Sequence, residues 1–209
     1  MKKFEKIVET VFDRKKVPFT PFIIIESHIP KKFKNFLNSF ISLIPKCKII
    51  HFSKNQSYVN IEELMGEFHS TVLIASYNRK TNLSYITIRQ TWSKYAIKLI
   101  VLNLTQVFSK IFFGNANKWS RSLFIFENIF EERPELKTFK ILITSFLNSK
   151  IYNENVLPSY ENVFSFFYVN SKIILRIYQI VKDKKSKKNF NLVEIGPRFR
   201  LRVKNFKME

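Results

Sequence analysis

The hydrophobic pattern of the chain switches between a helical and a strand period, and the switches divide it into elements. Residues 1–17 place Phe4, Ile7, Val8, Val11 and Phe12 on one helical face with Lys and Glu opposite. That spacing predicts a short amphipathic helix docked on the body or on a partner. Pro18 and Pro21 end it, and the apolar run Phe22–Glu26 reads as a buried strand. Ser27 to Pro30 is a helix start with proline in the first turn, followed at helical spacing by Phe33, Phe36, Leu37, Phe40, Ile41 and Ile44, until Pro45 stops it. Lys46–Phe52 predicts another short strand. Ile61, Leu64, Met65 and Phe68 mark a second helix, with Glu62 and Glu63 near its start, where the dipole favours them. Thr71–Ser76, Leu83–Arg89 and Tyr95–Leu102 follow as strands, the first two joined as a hairpin through Asn78–Asn82.

Asn103–Lys118 is the expected junction, because Phe112 and Phe113 anchor it before the turn residues Gly114-Asn115-Ala116-Asn117. Beyond it, Ser120–Phe126 reads as a strand. Glu131, Glu132, Pro134 and Glu135 open a helix whose buried face is Leu136, Phe139, Ile143, Phe146 and Leu147. After a loop at Asn148–Ser159, strands run Asn162–Val169 and Lys172–Val181, joined by a tight turn at Asn170-Ser171. The last stretch, Asn191–Phe206, is a short apolar run, a Gly196-Pro197 break, then strict alternation. Phe199, Leu201 and Val203 face one way, and Arg198, Arg200, Arg202 and Lys204 the other.

Each half repeats the order strand, helix, run of three strands, with an extra helix in the first half and no residue-level repeat. The fold class expected is α/β or α+β, in two similar halves at about residues 22–104 and 118–206 of a domain spanning 18–209. Pairing within each half is expected to be mainly antiparallel.

Charge changes this picture. Lys plus Arg number 36 against 16 Asp plus Glu, a net charge of +20 in 209 residues. Such an excess costs compactness and points to a polyanion, nucleic acid first and an anionic membrane surface second. The 23 Phe and 3 Gly fit the codon bias of an AT-rich genome, which also inflates Lys, so part of the charge is mutational drift. The single Cys47 excludes an internal disulfide and fits a reducing compartment. No signal-like apolar run follows the N-terminus, and Lys98 interrupts the best apolar stretch, Tyr95–Leu104, so a soluble, intracellular protein is expected.

Catalytic signals are missing. Gly66, Gly114 and Gly196 lie in no phosphate-binding pattern, and His28, His51, His69 and Cys47 lack metal-ligand spacing. Glu62-Glu63 and Glu131-Glu132 are helix-start carboxylates. No enzyme, cofactor or metal is expected.

The candidate binding residues are cations. The four-residue ladder Arg198, Arg200, Arg202 and Lys204 fits phosphate contact; the bland alternative is an edge strand blunted against aggregation. Lys31, Lys32 and Lys34 work against the dipole of their own helix start, from a bound anion or from drift toward Lys. Lys182, Lys184, Lys185, Lys187 and Lys188 make the densest basic run: a solvated hairpin tip, to which phosphate contact or a nuclear-import role can be added. Tyr178 and Trp119 are stacking candidates, whereas Phe199 is assigned to the core.

Leu192-Val193-Glu194-Ile195-Gly196-Pro197-Arg198-Phe199 resembles the signature of the Brix-domain family of eukaryotic ribosome-biogenesis factors. Ile174-Leu175-Arg176-Ile177-Tyr178-Gln179-Ile180 resembles the preceding family strand, and Ser120–Phe126, Phe130-Glu131-Glu132 and Glu161–Phe166 fall in family order. The resemblance covers about Phe22 to Phe206. It is strongest in the second half; in the first, the usual Arg-rich helix start is represented only by Lys31, Lys32 and Lys34. It is nearest to the founding branch of the family, which acts in large-subunit assembly; small-subunit rRNA processing is the alternative.

The resemblance implies two halves, each like the anticodon-binding domain of some tRNA synthetases. It also implies a nuclear, nucleolar location, precursor rRNA as partner, and a helical assembly factor of the pre-large-subunit particle. Arg176 and the Lys184–Lys188 loop would support the ladder. Arg200 stands where the family usually has an apolar residue, which lengthens the ladder, and the family's tails are missing, so their contacts are expected to be absent or moved to partners. The rival readings are a scaffold whose basic face binds an acidic assembly factor, and a tRNA-binding module.

Overall fold

The alternating segments become strands because each has one face to bury and one to leave open. The computed structural model describes residues 21–41, 44, 47–52, 70–105, 121–147, 160–182 and 190–208. The expected helices at 1–17 and 61–68, the loop at 148–159, most of the 103–118 stretch, Trp119, and Lys184, Lys185, Lys187 and Lys188 lie outside these residues. In chain order the elements are β1 (Phe22–Glu26), α1 (Lys31–Ile41), β2 (Lys48–Phe52), β3 (Thr71–Asn78), β4 (Leu83–Gln90), β5 (Ala96–Thr105) and β6 (Arg121–Phe126). They continue with α2 (Ile129–Glu132), α3 (Pro134–Leu147), β7 (Tyr160–Val169), β8 (Lys172–Lys182), β9 (Phe190–Glu194) and β10 (Arg198–Lys207).

All ten strands join one sheet, in the order β2-β1-β3-β4-β5-β10-β8-β7-β6, with β9 beside β8. The parallel pairs lie on the flanks, where helices supply the crossovers a parallel pair needs: β1 with β2 and β3, and β6 with β7. Every other pair is antiparallel. The repeated order expected from sequence is therefore present, as β1-β3-β4-β5 and β6-β7-β8-β10. The two sets are not separate sheets, because β10 pairs with β5 along its length.

The turns follow local chemistry. Asn170 (φ 49) and Ser171 (φ 57) both take positive φ, the requirement of the tight hairpin turn joining β7 to β8. In the β3–β4 loop Asn82 has φ 52, and Asn78 Oδ1 accepts the backbone N–H of Lys80 and Thr81 at 2.9 and 3.3 Å. The single helix expected from Glu131 onward is two: Arg133 is extended (φ −97, ψ 125) between α2 and α3. Pro134 is the cause, since its ring disfavours helical backbone at the residue before it while suiting the first position of α3.

The helices share one face and exchange sides. In α1, Phe36 and Phe40 reach β10, meeting the Phe199 ring edge-on at 5.2 and 5.6 Å. From the other half of the chain, α3 packs against β3, β4, β5 and β10. Its Ser145 hydroxyl shares a 2.7 Å hydrogen bond with that of Thr71 on β3, and its Phe139 meets Phe166 of β7 at 5.6 Å. One continuous core, from Ile23 to Leu201, runs beneath both strand sets.

Candidate nucleic-acid interface

Among the described residues no helix packs on the sheet face that carries the ladder, the face opposite α1 and α3. Along β10, Phe199 and Leu201 are buried, Val203 is half-buried against the core, and Arg200, Arg202 and Lys204 are exposed. The alternation read from sequence therefore holds, but not on an edge strand. The segment from Phe199 to Leu201 is paired on both sides, to β5 and to β8. At Phe199–Leu201 the strand needs no charge to blunt an edge, which sets the bland account aside for Arg200; from Arg202 onward β10 pairs with β5 on one side, so for Arg202 and Lys204 that account stands beside phosphate contact. Two register irregularities against β5, at Arg200/Leu201 and Val203/Asn205, bend the ladder locally.

The Gly196-Pro197 break explains how β10 reaches that position. Before it, β9 pairs only with the far end of β8, Lys182 to Tyr178. Gly196 then turns the chain with φ 62, a conformation open to glycine, across a cis peptide to Pro197, which has no N–H to offer a ladder. After the break the chain inserts between β8 and β5. Across it, Arg198 donates a two-pronged pair to Glu194, Nε to Oε1 at 2.5 Å and Nη2 to Oε2 at 2.6 Å. These hydrogen bonds, with the Glu194 charge and the nearby Tyr178, raise the guanidinium pKa further despite partial burial. Arg198 is thus a strut that braces the turn, and differs from the three cations after it.

Arg176 is exposed on β8, two residues beyond Ile174, the register partner of Arg200, so it extends the cationic row sideways. Tyr178 is half-buried and pairs in register with Glu194. Phe199, 3% exposed, is core as expected. Lys31, Lys32 and Lys34 are exposed on α1, which packs on the opposite face, so the sheet separates them from the ladder.

Sequence reasoning missed the residues beside Lys204. Tyr85 and Thr87 of β4 and Lys98 of β5 point to the ladder's face, being out of phase with the core positions Ile86, Ile88, Ile97 and Leu99. The ammonium groups of Lys98 and Lys204 each lie 4.9 Å from the centroid of the Tyr85 ring. Together with Arg79 and Lys80 of the β3–β4 turn and Glu26 of β1, they surround a cleft of about 670 Å³. A side-chain hydrogen bond with Thr81 is the main cause that holds the Tyr85 phenol below its ordinary pKa; burial opposes it, and Lys204 and Lys98 add to the lowering. The available signal was Lys98 itself, a charge in the otherwise apolar run Ala96–Leu102.

Among the described residues no group of His, Cys, Asp or Glu could hold a metal ion, and no helix is long and apolar enough to cross a membrane. The arrangement offers fixed cations on a rigid surface, a means of holding anions.

The profile of the Brix domain matches residues 26–205. The ribosome biogenesis protein BRX1 homolog of Dictyostelium discoideum is 27% identical over 202 residues, covering 93% of this chain and 59% of that protein. Ribosome biogenesis protein BRX1 of Saccharomyces cerevisiae is 30% identical over 132 residues, 60% of this chain and 45% of that one. The chain thus spans less than two thirds of these curated relatives. A crystal structure of a probable ribosomal biogenesis protein from Aeropyrum pernix superposes with a TM-score of 0.56, covering 88% of this chain and 95% of that one. At 7% identity that likeness concerns the fold alone.

Proposed function

The chain belongs to the Brix-domain family, and on that premise we propose that it is a ribosome-biogenesis factor whose ladder-bearing sheet face binds precursor rRNA. The observation that carries this reading is the exposed row Arg200, Arg202 and Lys204 along one face of β10, which starts at Arg200 on a stretch paired on both sides, where charge serves no edge-protecting purpose. A sheet face lined with cations suits the phosphates of a folded RNA segment and reads shape more than base sequence. Arg176 widens the row, Arg198 holds the turn that aims it, and Lys184, Lys185, Lys187 and Lys188 add charge between β8 and β9. Lys31, Lys32 and Lys34, behind the sheet, would meet a separate RNA segment. The work is placed in large-subunit assembly, in the nucleolus of the nucleus, beside a helical assembly factor. No catalytic step, cofactor or membrane enters the reading.

Affinity for rRNA fragments measured against salt tests it. Each phosphate contact contributes roughly 0.9 to the log–log slope on the duplex calibration. Replacing Arg200 and Arg202 by Ala should flatten the slope by about one to two units; an unchanged slope refutes the assignment of this strand.

A protein-docking role is favoured by a different observation: Phe190 and Leu192 on β9 and Val181 on β8 are exposed apolar side chains on paired strands. Binding through them would persist at high salt, which separates it from phosphate contact.

A further inference from the structure

We propose that the cleft between Tyr85, Lys98 and Lys204 receives the phosphate group of a nucleotide that protrudes from the RNA lying on the cationic row. The inference rests on the rRNA reading of this face and adds where a single nucleotide is held.

Shape separates the cleft from the rest of the row. Arg200 and Arg202 are not part of its lining, whereas Asn78, Arg79 and Lys80 at the end of β3 and in the β3–β4 turn line it together with Ile74, Ser76 and Thr87. The volume of about 670 Å³ falls within the range of small-ligand sites, about 300–1,000 Å³. Phosphates of a continuous helix lie in a row along its outer surface, whereas a nucleotide that has left the stack can extend its phosphate into a cleft beside that row.

Charge selects the ligand. Arg79, Lys80, Lys98 and Lys204 line the cleft with one acid, Glu26, whose Oε2 accepts the Tyr77 backbone N–H at 3.0 Å. Four cations gathered around one carboxylate repel each other until an anion joins them. The Tyr85 ring also decides which part of the nucleotide is held. A base needs an exposed ring to stack on, but Tyr85 is 4% exposed and has two ammonium groups over it. It lines an anion site beside the ammonium groups of Lys98 and Lys204.

Two sources can present such a phosphate, an internal bulged nucleotide or a 5′-phosphorylated overhang. Fluorescence anisotropy with three hairpins of equal stem length tests the proposal: one fully paired, one with a single-nucleotide bulge, and one with a 5′-phosphorylated overhang. The wild-type chain should bind at least one of the latter two about tenfold more tightly than the paired stem, the effect of one charge-assisted contact. Lys98→Gln and, separately, Lys80→Gln at the exposed turn should each remove most of that preference while leaving affinity for the paired stem within about twofold. Equal binding of all three RNAs by the wild type, or a preference that survives both substitutions, overturns the proposal while leaving the rRNA reading intact. Salt-insensitive binding, or none, to every RNA overturns the rRNA reading and this proposal with it.

Discussion

Replacing Phe199 by Ala tests the joint that makes one molecule of two strand sets. The side chain is 3% exposed, and its ring meets Phe36 at an interplanar angle of 89° and Phe40 at 86°. Buried Phe→Ala substitutions cost about 3–5 kcal/mol. In a domain of this size each kcal/mol lowers Tm by about 2–4 °C, so the expected fall is roughly 6–20 °C. Phe199→Leu retains most of the buried area but loses two edge-on ring contacts, worth about 0.5–1.5 kcal/mol each, so about 1–3 kcal/mol should be lost. The assay is thermal and urea unfolding followed by circular dichroism and by tryptophan fluorescence. Since α1 and α3 each lie over strands of the other half, both probes should report one transition, shifted as a whole. A loss below about 1 kcal/mol for the Ala variant, or a transition that splits in two, refutes the account of a single core sealed at β10.

Ser145→Ala removes the hydroxyl link from α3 to β3 and should cost about 1–2 kcal/mol by leaving buried Thr71 without that partner, whereas adding Thr71→Val should cost less than a second such step; chemical denaturation of the single and double variants checks this. Glu194→Gln leaves the Arg198 fork without its carboxylate, and the salt slope for rRNA should steepen by up to about one unit if Arg198 then reaches phosphate. Spectrophotometric titration should show one tyrosine ionising below the ordinary value of about 10, lost in Tyr85→Phe and moved upward in Thr81→Ala, where the largest cause of the shift is removed. Because the folded phenol ionises more readily than the unfolded one, its contribution to stability is absent below the folded pKa, grows as pH rises through it, and is complete above about pH 10. The stability difference between wild type and Tyr85→Phe should therefore widen with rising pH over that window.

Legibility of the fold tracked the range of the interactions. The strands β1, β3, β4, β7 and β8 follow their apolar patterns within a residue or two, and the turns at Asn78–Asn82 and Asn170-Ser171 follow from residue types that tolerate positive φ. Pro134 carried the α2–α3 break in plain view; the continuous apolar pattern through it obscured the point that proline acts on the residue before it. The ladder was legible because its period of two is local. Its interior position was not, since nothing in Arg198–Lys207 names β5, about a hundred residues earlier, as its neighbour. The Tyr85 cleft was less legible still, being assembled from β1, β3, β4, β5 and β10.

Among the described residues the sequence by itself determined most of the strands, the apolar faces of α1 and α3 and which side of β10 is charged, and it carries a net charge of +20. Those properties depend on side-chain period, turn stereochemistry and composition, all readable within a few residues. Only the tertiary structure decided that the two strand sets form one sheet, that α1 and α3 each reach strands of the other half, and that Arg198 braces a turn while Arg200 and Arg202 remain exposed. It also decided that Lys98 and Lys204 meet over one tyrosine. These depend on pairings between residues far apart in the chain, whose choice is set by burying one continuous core and leaves no mark on any single segment.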